Sequence, residues 1–206
     1  TQPTDKFVEE FARHSPHAPD QPEYHIELAN GFARMASALQ GKEYKYYPVP
    51  GLLKFLSPMF AKFSFWWHWH DVYKMKECLL LRAVTEYIGL VKQEPTDLEL
   101  HAALANAYVM LSGLYHHPSS WNHDAAQIFK EKFTRASKRA IEEFKILNEY
   151  APNDPWIHQQ LAYSYHDLQM PEEEVKEYEI LLSLLPYEDE ILNKLGTLYF
   201  QQGKTA

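Results

Sequence analysis

Apolar positions along this chain recur with the spacing of helices rather than of strands. Three stretches read alike: LANGF at 28–32, LANAY at 104–108 and LAYSY at 161–165, with a fourth, LGTLY, at 195–199. Each sets a large apolar residue, a small one, two variable positions and an aromatic. On a helix the first and last of these share a face, and the small residue lets a second helix come close. A second pattern follows the first three stretches. It runs Ala83, Tyr87, Leu90, Pro95, then Ala140, Phe144, Leu147, Pro152, then Glu174, Tyr178, Leu181, Pro186. Each proline ends one helix, and an acidic residue two positions on (Asp97, Asp154, Glu188) starts the next.

Paired helices with this punctuation resemble the tetratricopeptide repeat family, whose unit is a helix-turn-helix of 34 residues. Leu161 and Leu195 stand 34 positions apart, and the unit 155–188 fits without a gap. Its one departure is Glu174, where the family has a small residue, and this puts the closest helix contact of that unit in question. The unit beginning at 189 is truncated at 206, before most of its second helix. The two earlier units, 22–97 and 98–154, fit with insertions at 41–73 and 112–133, and 1–21 forms an N-terminal segment. The resemblance implies an all-α fold: a single domain over 22–206, built as a right-handed superhelical solenoid of hairpins with a concave groove.

The same resemblance implies that the first helix of each hairpin lines the groove. Asn30 and Arg34, Asn106 and Met110, and Tyr163 and Asp167 are the candidates there for gripping a peptide or protein. A side-chain amide such as Asn30 or Asn106 can both donate to and accept from an extended backbone. One subclass of the family grips a terminal carboxylate with Lys or Arg; Ile26, Glu27, Ala102 and Ala103 stand in those places, so that grip is missing. Trp156, just after Pro155, reads as a groove contact or as a structural plug. His25, His101 and His158 share one place in their first helices, and that regularity argues for a packing role.

The first insertion sets this chain apart. Residues 44–74 hold eleven of its 30 aromatics, with Lys45, Lys54, Lys62 and Lys74 against Asp71. Pro48, Pro50 and Pro58 argue against one long helix and for short turns at 51–56 and 59–65. Three readings compete: a lid packed on the solenoid, a docking surface for another protein or a second copy, and a segment lying in a membrane interface. Trp66, Trp67 and Trp69 are the candidates for an insertion-mediated contact with a protein or peptide. The second insertion contributes His116, His117, His123 and Asp124, a candidate metal shell at 116–124 that reads more simply as a solvated loop.

Composition narrows the class. The chain has 206 residues, 46% hydrophobic and 23% charged, which suits a globular protein. Twenty basic against 28 acidic side chains leave −8, which argues against a nucleic-acid partner. The lone Cys78 cannot form an internal disulfide, and the polar N-terminus has no signal-peptide pattern; both favour a cytoplasmic setting, with attachment to a membrane surface as a variant. No phosphate loop, nucleophile elbow or paired-cysteine motif occurs, so neither catalysis nor a cofactor or metal is expected. The expected role is a non-catalytic adaptor or scaffold. It would bind a protein or peptide in the groove or through residues 44–70, or a second copy through the aromatic insertion or the uncovered C-terminal helix. The alternatives are a peripheral membrane protein and a metal-dependent module.

Overall fold

The computed structural model describes residues 3–44, 56–116 and 123–203. The elements are helical: α1 (Pro3–Arg13), α2 (Pro22–Ala38), α3 (Ser57–Gln93), α4 (Leu98–His116), α5 (His123–Tyr150), α6 (Pro155–Asp167), α7 (Pro171–Leu184) and α8 (Asp189–Gln201), with a 3-10 turn at Lys42–Tyr44. The chain divides into two compact units, Thr1–Pro95 and Thr96–Ala206.

In the first unit α2 packs along α3. Pro22 opens α2 in its first turn, where a missing N–H costs nothing, and Leu28, Ala29, Phe32 and Ala36 form its buried stripe. The facing stripe of α3 is Leu79, Leu80, Ala83, Val84, Tyr87 and Leu90. The N-terminal segment is tied in by Phe11, whose ring lies 5.6 Å from that of Phe32. Gly31 makes room for it: a Cβ there would stand 2.4 Å from the Phe11 ring. The Ser15 hydroxyl adds a hydrogen bond to the Glu27 carboxylate.

Helix α3 is 37 residues long and unbroken, and it absorbs the part of the first insertion expected as a short turn at 59–65. Pro58 does not interrupt it because it occupies the first turn, where no backbone donor is needed. Pro48, Pro50 and the turn expected at 51–56 lie wholly or mostly outside the described residues. The second insertion likewise lengthens a hairpin. Helix α4 runs on to His116 and α5 starts at His123, so both outlast the 13- and 14-residue helices of the next hairpin.

In the second unit each helix packs chiefly on its neighbours in the chain: α4 with α5, α5 with α6, α6 with α7, α7 with α8. Asp97 caps α4 by accepting from the Glu99 and Leu100 amides, and Asp154 caps α6 by accepting from the Trp156 amide. Gln169, with φ of 56°, turns the chain out of α6 into α7. Two apolar clusters follow one another. Ala105, Ala140, Phe144, Leu147, Leu161 and Tyr165 join α4, α5 and α6, while Ala162, Val175, Tyr178, Leu181, Leu195 and Leu198 join α6, α7 and α8. Phe144 is fully buried at the centre of the first cluster. Phe144→Ala is expected to destabilise the second unit by about 3–5 kcal/mol, read from urea unfolding followed by circular dichroism.

Candidate functional site

The three regularly placed histidines each make the same contact across a hairpin. His25 Nδ1 meets a Glu86 carboxylate oxygen at 2.7 Å, His101 Nδ1 meets Glu143 at 2.6 Å, and His158 Nδ1 meets Glu177 at 2.7 Å. Each histidine is the fourth residue of its helix. Each glutamate directly precedes the aromatic of the second helix: Tyr87, Phe144 or Tyr178. The packing role expected for these histidines therefore takes the form of a polar clasp. The sequence signal for the glutamates is their constant place before the aromatic.

The clasps differ in burial. At His158 and Glu177 the side chains are 2% and 14% exposed, against 35% and 24% at His25 and Glu86. His158 Nε2 also lies 2.8 Å from the Pro152 carbonyl. A carbonyl only accepts, so Nε2 carries a hydrogen, and a further proton lies between Nδ1 and the Glu177 oxygen. A related contact accounts for Glu174, the residue out of keeping with the repeat. Its carboxylate is buried and receives His166 Nδ1 at 3.0 Å, so the hairpin holds an acid where a small residue was expected.

The groove candidates fall in both units. In the first, Asn30 is half-buried and its Oδ1 accepts from the Tyr87 hydroxyl at 2.8 Å, while Arg34 one turn on is exposed. Burial pushes that phenol above its ordinary range, against the opposing pull of Arg34. In the second unit Asn106 is exposed and Met110 half-buried on α4, and Tyr163 and Asp167 are exposed on α6. Ala105 and Leu161, beside these positions, enter the same core cluster, so α4 and α6 are held by one core. Gln159 Nε2 donates to the Tyr163 hydroxyl at 3.1 Å. Burial, with the nearby Tyr163 and Glu174, pushes the Tyr178 phenol up to about 12. Trp156 is part exposed and meets Phe144 edge to face at 5.7 Å, a packing contact of the kind a structural plug makes.

The three insertion tryptophans separate. Trp69 turns inward and stacks on Tyr73 at 5.3 Å, while Trp66 and Trp67 face solvent. Tyr44 stacks on Phe65 at 4.9 Å, tying the Lys42–Tyr44 turn to α3. In the second insertion His116 lies 5.3 Å from the Phe133 ring, whereas residues 117–122, including His117, lie outside the described residues. Among the described residues no three His, Cys, Asp or Glu side chains gather as a metal site, and no helix is long and apolar enough to cross a membrane.

Breaking a buried ion pair from one side strands the other group. His158→Ala is thus expected to lower the stability of the second unit by about 3 kcal/mol. His158→Asn should lose less, because its amide can donate in place of Nδ1. At the more exposed His25, alanine should cost about 1 kcal/mol or less. Urea unfolding of the three variants checks this order.

No protein-family profile matches the chain, and no curated protein matches it. A solved structure described as MamA MSR-1 C2 is similar at 18% identity and a TM-score of 0.32, over 66% of this chain and 86% of its own.

Proposed function

We propose that this chain is a non-catalytic interaction scaffold of the tetratricopeptide type, a short right-handed solenoid whose second unit presents the first helices of its hairpins to a protein or peptide. One observation carries the reading: on α4 and α6 the repeated core positions Leu104, Ala105, Leu161 and Ala162 are buried, while Asn106, Tyr163 and Asp167 between them stay exposed. A surface left open by such a repeat offers side chains at helical intervals on a rigid support, and this is how an extended ligand is read. Tyr163 supplies an amphipathic ring, the kind of residue that dominates interface energies. Asn106 supplies a donor and an acceptor, and Asp167 adds an acidic end that favours a basic partner segment.

Site-directed photocrosslinking tests this reading. With benzoylphenylalanine replacing Tyr163, a discrete adduct is expected from the native extract, and none with the same group replacing Ile180 on α7. Asn106→Ala combined with Tyr163→Ala should weaken binding of the captured partner at least tenfold while helicity is unchanged. Equal adducts from both positions, or binding unchanged by the double substitution, would refute the groove assignment.

A further inference from the structure

We propose that the N-terminal half of α3 is a docking surface for an anionic lipid membrane, lying in the headgroup plane rather than crossing it. Met59, Phe63, Trp66 and Trp67 are spaced at i, i+4, i+7 and i+8, so they form one stripe along the helix. They are 60%, 50%, 63% and 58% exposed, high values for four large apolar side chains in a row. The Phe63 and Trp67 rings stack at 6.2 Å and Trp66 meets Trp67 at 5.8 Å, so the stripe is a continuous aromatic surface.

Charge selects the occupant. Lys62 and Lys74 are exposed beside or beyond the stripe, His70 is exposed near its end, and Asp71 is the one acid of the helix before Glu77. Residues 44–76 carry five lysines against that single aspartate, within a chain of 20 basic and 28 acidic side chains. A cationic stretch of an acidic protein therefore coincides with its exposed aromatic stripe. Indole and lysine together suit the headgroup layer: the ring sits among glycerol and upper acyl carbons while the ammonium reaches anionic phosphates or carboxylates. The span from Met59 to Lys74 is about 22 Å along the helix axis, long enough to lie on the surface and too short and too charged to cross it. A second copy is the poorer fit, because two such stripes would bring Lys62 and Lys74 of each chain onto one narrow seam.

The full chain is tested by co-sedimentation with phosphatidylcholine vesicles, with and without 30 mol% phosphatidylserine. Binding is expected on the anionic vesicles and should weaken at least tenfold with either Trp66→Ser plus Trp67→Ser or Lys62→Glu plus Lys74→Glu. Brominated lipid should quench the wild-type tryptophan fluorescence and lose most of that effect in the first pair. All four side chains are exposed, so both variants should unfold like the wild type, and Asn106→Ala plus Tyr163→Ala should bind vesicles normally. Failure to bind anionic vesicles, equal binding to neutral ones, or binding untouched by both pairs overturns the proposal. So does a dimer, seen by sedimentation velocity, that Trp66→Ser plus Trp67→Ser dissolves while vesicle binding is absent.

Discussion

The close approach of the two helices in each hairpin governs the rest of this architecture. Ala29, Ala105 and Ala162 have no exposed surface at all, and on the facing helices Ala83 has none either and Ala140 almost none. A methyl side chain at the crossing brings the backbones together, and the larger Leu and aromatic residues one turn away can then close around it. The third hairpin shows how far this can be adjusted. Its second helix has Glu174 at that place, and the carboxylate stays buried because His166 reaches back to it.

Apolar packing alone tolerates sliding, because a helix displaced by a turn still sets apolar residues against apolar ones. The clasps remove that freedom. Shifting a hairpin by one turn would put the Glu143 or Glu177 carboxylate against hydrocarbon without a donor, and an unpaired buried charge is costly. Their contribution is thus better described as selecting one alignment than as adding stability. The most buried pair, His158 with Glu177, enforces it most strictly and is held from its other side by the Pro152 carbonyl.

Much of this was legible in the sequence because the repeat is written in side-chain size. The order of large, small and aromatic residues identifies the buried face of α2, α4 and α6, and the prolines at 95, 152 and 186 mark where helices end. Two things were hidden for physical reasons. Pro58 read as an interruption, yet a proline inside the first turn replaces a donor the helix does not use, so α3 runs on for 37 residues. The clasps were half visible: the histidines aligned, but their partners lie 61, 42 and 19 residues away, and only the constant place of each glutamate before an aromatic marks them. Among the site residues, exposure separated outward Trp66 and Trp67 from inward Trp69, a distinction that three nearly adjacent tryptophans in a sequence do not reveal.

Those same three separations bear on how such a chain can diversify. Each clasp takes both its histidine and its glutamate from one hairpin, and it sits at the open end, away from the connecting loop. Copying a hairpin therefore copies lock and key together, with no need for a neighbour to change in step. Chain added at the tip leaves the fastening at the base untouched. Gene-level growth is free to accumulate at hairpin tips, and the tip of the first hairpin is where this protein has collected its most distinctive surface.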